Sequence, residues 1–288
     1  MDSLVSPAWL AEHLDDPDLV VLDVRVTFDA GAPVGDRAAY RSDHIAGAVF
    51  ADLPHELCDG ASDIGFALPA PDTFCHTVGR LGVGDSSRVV LYDSRMHLPG
   101  SVISSMWAAR AWWMLRWVGF DQVALLDGGY EAWVDGGHPV RTGDEDRTPQ
   151  VLTPHVRPQV MADRDEVLDA VRSSDVALVD TLGADHFDGS RNMYARPGHI
   201  TGAVNRPVFD LYDDTGCFVP TDRLVERFAG LPPGRVITYC GGGVAASASA
   251  FAMVRAGVDD VAVYTASLQE WAADPTLPMD TGAAAAGD

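Results

Sequence analysis

Along this chain, short runs of mostly aliphatic and β-branched residues alternate with longer segments whose apolar residues recur every three to four positions. The runs at 20–24, 88–92, 177–181 and 236–239 predict the strands of a buried sheet. Ser6 followed by Pro7 is an N-cap with a first-turn proline and opens a helix to about His13. Asp163 caps a helix over 164–171 in the same way, and 72–80 and 221–229 are amphipathic and run into glycine. Strands alternating with helices predict an α/β fold, a mainly parallel sheet with helices on both faces.

The order of elements occurs twice. Val20-Val21-Leu22-Asp23-Val24 returns as Ala177-Leu178-Val179-Asp180-Thr181. Asp43-His44-Ile45-Ala46-Gly47-Ala48-Val49 returns as Gly198-His199-Ile200-Thr201-Gly202-Ala203-Val204, and Arg88-Val89-Val90-Leu91-Tyr92-Asp93 as Arg235-Val236-Ile237-Thr238-Tyr239-Cys240. Glu131-Ala132-Trp133 returns as Gln269-Glu270-Trp271. Four blocks in one order, spaced by well over a hundred residues, mean two tandem domains and not a solenoid. The polar, proline-containing stretch 141–158 reads as the connection, which sets expected domains at 1–145 and 159–288 with a linker at 146–158. The tail 283–288 is expected to fray.

The two copies part company at one position. Cys240 ends an apolar run and opens Cys240-Gly241-Gly242-Gly243-Val244-Ala245-Ala246, after which a helical stretch runs to Gly257. Three glycines allow the backbone to curl with its N–H groups inward, so Gly241, Gly242, Gly243, Val244, Ala245 and Ala246 form a candidate anion nest at a helix start. A thiol placed there is favoured as the thiolate, the nucleophilic form. The first copy has Asp93 at this position, followed by Ser-Arg-Met-His-Leu-Pro-Gly. A carboxylate cannot act as a thiolate nucleophile, so the second copy is the candidate catalytic domain and the first a non-catalytic one.

Other cysteine chemistries fit less well. A cysteine protease needs a histidine base with an orienting group; His199 lies in a block shared with His44 of the other copy and reads as a structural histidine. A Cys-x5-Arg phosphatase needs an arginine where Ala246 stands. No Cys/His cluster has metal-ligand spacing, and the glycines do not match a dinucleotide fingerprint.

The loop Cys240–Ala245 resembles the six-residue active loop of the rhodanese superfamily of sulfurtransferases. Its glycines are more similar to the mercaptopyruvate type than to the thiosulfate type, whose loop carries cationic side chains. The resemblance covers nearly the whole chain; in the first copy Ala109-Arg110-Ala111-Trp112-Trp113-Met114-Leu115-Arg116 and Leu125-Leu126-Asp127-Gly128-Gly129 also resemble that family's inactive domain. It implies two tandem rhodanese-like domains and transfer of a sulfane sulfur from 3-mercaptopyruvate or thiosulfate to an acceptor (a thiol, cyanide or a protein) through a Cys240 persulfide, with no cofactor. It implies substrate-binding roles for Arg191 and Arg196, for His186 where the family often has an arginine, and for Trp107, with the loop 94–106, as a wall of the site. Three departures stand out. Gly242 replaces a hydroxyl residue, His186 replaces the arginine, and Thr265-Ala266-Ser267 replaces an Asp-Gly-Ser turn. The intact Cys240 loop favours the enzyme, while the changes at Gly242 and Thr265-Ala266 leave as the alternative a non-enzymatic sulfur-relay or regulatory protein holding an anion or persulfide for a dedicated partner.

Charge narrows the partners. With 20 Lys+Arg against 42 Asp+Glu the net charge is −22, which argues against nucleic acid and anionic membrane and requires a small anionic donor to be held by local groups against the global field. Every one of the 20 basic residues is arginine, so lysine Schiff-base and P-loop lysine chemistry is excluded. The four cysteines form no CxxC pair and read as reduced thiols of a cytoplasmic protein. The first residues have neither the basic nor the apolar region of a signal peptide, and no apolar run approaches the ~20 residues of a membrane span.

Overall fold

A computed structural model describes residues 1–98, 100–173 and 175–282. The chain divides into two compact units. Unit 1 comprises Met1–Ala61, Leu68–Arg157 and Tyr212–Phe218; unit 2 comprises Ser62–Ala67, Pro158–Leu211 and Val219–Asp288. The contiguous domains expected at 1–145 and 159–288 are therefore each supplemented by a short segment from the other half of the sequence.

Unit 1 is built on a five-stranded sheet of β1 (Leu4–Val5), β2 (Leu19–Asp23), β3 (Val49–Phe50), β4 (Arg88–Tyr92) and β5 (Val123–Leu126), in the order β1-β5-β4-β2-β3. Unit 2 repeats it with β6 (Met161–Ala162), β7 (Ala177–Asp180), β8 (Val204–Asn205), β9 (Val236–Tyr239) and β10 (Val261–Tyr264), in the order β6-β10-β9-β7-β8. All neighbouring pairs in both sheets are parallel. Parallel strands covered on both faces need continuous apolar runs, and every residue of β2, β5, β7, β9 and β10 is buried.

The helices follow the sequence signals. Ser6 Oγ accepts the Trp9 N–H to cap α1 (Pro7–His13). In unit 1, α2 (Pro71–Arg80), α3 (Met106–Trp117) and α4 (Gly129–Asp135) follow. In unit 2, Asp163 Oδ1 accepts the Glu166 N–H to cap α5 (Arg164–Arg172), followed by α6 (Ala184–Phe187), α7 (Thr221–Arg227), α8 (Val244–Arg255) and α9 (Ser267–Trp271). The stretch expected as a linker has no regular structure between Arg141 and Pro158 and is tied back onto unit 1: Thr153 bonds Asp85, the His155 N–H donates to Val118 O, and Arg157 pairs with Asp121. The tail 283–288 lies outside the described residues.

The repeated blocks are repeated interactions. Tyr92 and Tyr239 hydroxyls accept the N–H groups of Ile45 and Ile200, and Trp133 and Trp271 donate Nε1–H to Pro139 and Pro278 carbonyls. His44 and His199 are buried and bond the carbonyls of Tyr40 and Phe187 through Nδ1, the structural role expected for them. These polar atoms find the same partner in each unit, which is why the residues carrying them recur.

Candidate active site

The chain leaves the central strand β9 at Cys240 and re-enters regular structure at α8, so the thiol sits at the carboxyl end of a parallel sheet, where α/β folds place their ligands. The Gly243 N–H donates to Cys240 Sγ at 3.1 Å. Gly243 is the N-cap of the 12-residue α8, and its φ of 82° is left-handed, the one place in the loop where glycine is required for its backbone freedom.

Gly241 and Gly242 serve a different purpose from the one expected. Neither has a left-handed φ; each clears room for a side chain. A Cβ on Gly241 would overlap the Tyr194 hydroxyl, and one on Gly242 would overlap Gln269 Nε2, with a Phe66 ring carbon 3.4 Å away. Close approach of neighbouring side chains, and not curling of the whole loop, explains two of the three glycines.

The segment 264–269 holds the loop from the other side. The Cys240 N–H donates to Ser267 Oγ at 3.1 Å, and Ser267 in turn donates to Tyr264 O at 2.7 Å. Leu268 and Gln269 N–H groups donate to the carbonyls of Cys240 and Gly241. Ser267 pays for this with a left-handed φ of 52°, unusual for a non-glycine residue. The altered Thr265-Ala266-Ser267 turn therefore keeps its serine in a supporting role.

The expected substrate-binding residues separate. His186, on α6, has its ring centroid 6.4 Å from that of Tyr194, and burial lowers its pKa. Arg191 is exposed and faces Asp185 at 3.7 Å. Arg196 departs from expectation: its guanidinium donates to four backbone carbonyls, those of Trp271, Ala272, Asp274 and Leu277, and clamps the chain following α9. Trp107 begins α3 in unit 1, and its N–H donates to Asp93 Oδ2. Tyr194 and Gln269 also belong to the loop's surroundings and were not singled out from sequence; the duplicated block containing Gln269 was the available signal.

Asp93 completes the comparison of the copies. Its buried carboxylate accepts N–H groups from Ser105 (2.5 Å), Trp107 (2.7 Å) and Ala108 (3.1 Å) at the start of α3. The first copy thus fills its own nest with a side-chain anion. Burial pushes the Asp93 carboxyl up to about 7 despite these donors. Between Asp93 and α3 the chain inserts a hairpin, Met96–Leu98 paired with Ser101–Ile103, where the second copy has three glycines. Among the described residues no group of three or more His, Cys, Asp or Glu side chains could hold a metal ion.

Comparison with known proteins agrees with the geometry. The rhodanese-like domain family matches residues 6–135 and 163–274. A protein named probable 3-mercaptopyruvate sulfurtransferase from Pseudomonas aeruginosa is 33% identical over 289 residues, covering 97% of this chain and 98% of its own. Thiosulfate sulfurtransferase of Gallus gallus is 32% identical over 276 residues, covering 93% of each. The crystal structure of SseA from Escherichia coli, described for the rhodanese fold and catalytic mechanism of 3-mercaptopyruvate sulfotransferases, superposes with a TM-score of 0.79 at 28% identity over 93% of this chain and 99% of that one.

Proposed function

The chain belongs to the rhodanese family, and on that premise we propose that it is a sulfurtransferase working through a persulfide on Cys240. The observation that carries the reading is the Gly243 N–H directed at Cys240 Sγ at the start of α8. An amide donor and a helix N-terminus both favour sulfur in its anionic form, before transfer as thiolate and after it as persulfide.

In the first half-reaction the Cys240 thiolate attacks the sulfur of 3-mercaptopyruvate. The S–S bond forms as the C–S bond breaks, and the carbon takes the electron pair and then a proton to leave as pyruvate. With thiosulfate the same attack releases sulfite. In the second half-reaction an acceptor thiolate, or cyanide, takes the outer sulfur and returns Cys240 as thiolate, giving ping-pong kinetics. No cofactor enters this scheme. We favour 3-mercaptopyruvate as donor because the loop offers glycines and small apolar residues where a doubly charged sulfonate would call for cations.

The division of labour proposed is catalysis by 159–288 and a non-catalytic role for 1–145, with 146–158 between them, supported by Asp93 in the thiol's position. Gly241, Gly242, Gly243, Val244, Ala245 and Ala246 enclose the sulfur, and His186 and Arg191 stand nearest the role of donor recognition. Among the described residues no helix is long and apolar enough to cross a membrane, and a cytoplasmic location with a small thiol or protein acceptor fits the free thiols.

Intact-protein mass spectrometry after incubation with each donor tests the reading. Gain of one sulfur atom, lost in Cys240→Ser, is expected. Gain in the wild type without turnover to cyanide or thiols would instead support the relay protein, and gain surviving in Cys240→Ser would sink the assignment.

A further inference from the structure

Gln269 occupies a position whose counterpart in the first repeat can be read directly. The duplicated block aligns Gln269 with Glu131, and Asp93-Ser94-Arg95 with Cys240-Gly241-Gly242. In unit 1 the Glu131 side chain reaches back to the loop: its Oε2 accepts the Arg95 N–H at 2.7 Å, and its charge raises the pKa of Asp93. In unit 2 the same reach brings the Gln269 carboxamide against Gly242, the equivalent of Arg95. The residue two positions beyond the thiol has lost its side chain, and the carboxylate that reached it has become a carboxamide.

Two hydrogen bonds hold Gln269 against the loop, one at its side chain and one at its backbone. Its Oε1 accepts the Gly65 N–H at 2.8 Å, within unit 2. Its backbone N–H donates to Gly241 O at 3.0 Å. With the oxygen committed to Gly65, the nitrogen is the atom left against the loop, and Nε2 is the atom that a Gly242 Cβ would strike. Among the described residues no acceptor pairs with Nε2. Gln269 is half-buried and its Nε2 is open to solvent, so these N–H groups are accessible beside the loop to a ligand oxygen that displaces water.

We propose that Gln269 is a specificity-determining residue of the Cys240 site, its Nε2 donating a hydrogen bond to an oxygen of a small anionic sulfur donor, a carboxylate or sulfonate. The proposal rests on the sulfurtransferase reading for its substrate. The carboxamide supplies a donor on the face of the loop where Gly242 carries none. The loss of charge relative to Glu131 is as important as the gain of N–H, since a carboxylate there would repel both the thiolate and the incoming anion.

The test compares Gln269→Glu, which keeps an acceptor for the Gly65 N–H but restores the charge of the first repeat, with Gln269→Met, which removes both donor and acceptor without charge. Steady-state kinetics with 3-mercaptopyruvate and with thiosulfate should show donor KM raised about tenfold in Gln269→Glu and somewhat less in Gln269→Met, with kcat much less affected, as for loss of one hydrogen bond to a charged group. A second readout does not depend on sulfur transfer: the rate of Cys240 alkylation by iodoacetate divided by that by iodoacetamide, measured by peptide mapping. That ratio should fall in both variants, further in Gln269→Glu. Wild-type-like KM and alkylation ratio in both would overturn the proposal. So would a defect confined to Gln269→Met, which would reduce Gln269 to a brace for Gly65. If the wild type forms no persulfide with either donor, the sulfurtransferase reading fails, while the alkylation ratio still decides whether Gln269 serves an anion.

Discussion

The Arg25 guanidinium pairs with the Asp23 carboxylate at 2.8 Å, both side chains almost wholly buried, and in the second repeat Leu182 stands where that arginine stands. The turns are otherwise alike, the Arg25 N–H donating to Asp23 Oδ1 and the Leu182 N–H to Asp180 Oδ1. Asp180 is left buried without the cation, and burial pushes its carboxyl up to about 6.

Leu182→Arg should reverse part of that shift. A carboxyl whose folded pKa lies above its unfolded value of about 3.9 binds its proton more tightly in the folded state. Its stabilising contribution is complete below about pH 4 and is lost as the pH rises through about 6. A cation beside Asp180 lowers the folded pKa and reduces this decline without abolishing it, since burial keeps the Asp23 carboxyl raised even beside Arg25. Stability at pH 8 relative to pH 4 should rise by about 1.4 kcal/mol for each unit regained, read by denaturant unfolding of wild type and variant at the two pH values. An unchanged difference would mean that the arginine is not seated as Arg25 is.

Asp93 gives a second pH signature, confined to unit 1. With its carboxyl up at about 7, its contribution is also greatest below about pH 4 and is lost as the pH rises through 7. Asp93→Asn should flatten the fall in calorimetric transition temperature between pH 5 and 8. The slope of wild type persisting in the variant would assign the titration elsewhere.

The parallel strands, the tandem organisation and the Cys240 loop were legible in the sequence for definite physical reasons. Parallel strands buried on both faces leave continuous apolar runs, and buried Tyr, Trp and His side chains whose polar atoms have a fixed partner in the fold recur wherever the fold recurs. Tyr194 and Gln269 were not legible, because what marks them is an approach to glycines 47 and 27 positions away in the chain from them respectively. Sequence shows that a glycine is present; only the structure separates the left-handed φ of Gly243 from the cleared space at Gly241 and Gly242. The clamp made by Arg196 was not legible for a related reason, since four carbonyl acceptors leave no trace in side-chain identity.

Arg196→Ala should separate a clamp from a substrate ligand. Removing the guanidinium leaves four carbonyls without their donor, and with each such hydrogen bond contributing roughly 1 kcal/mol net, unit 2 should lose about 2–4 kcal/mol. Donor KM, measured well below the lowered transition temperature, should stay within about threefold of wild type, since no uniform binding contact is lost. A large rise in KM with unchanged stability would restore Arg196 to substrate binding.

The contact between Gly241 and Tyr194 can be weighed by a double-mutant cycle. Gly241→Ala alone places a methyl group on the Tyr194 hydroxyl and within 2.8 Å of Cζ, and overpacking of this kind costs about 1–3 kcal/mol. Tyr194→Phe removes the hydroxyl and leaves the ring, so it relieves the first overlap and not the second. Gly241→Ala should therefore cost less in the Tyr194→Phe background, with a coupling of about 0.5–1 kcal/mol from denaturant midpoints at constant m-value. Equal costs in the two backgrounds would mean that the ring swings clear freely, and the glycine at 241 would then have to be explained by what binds beside Cys240 and not by Tyr194.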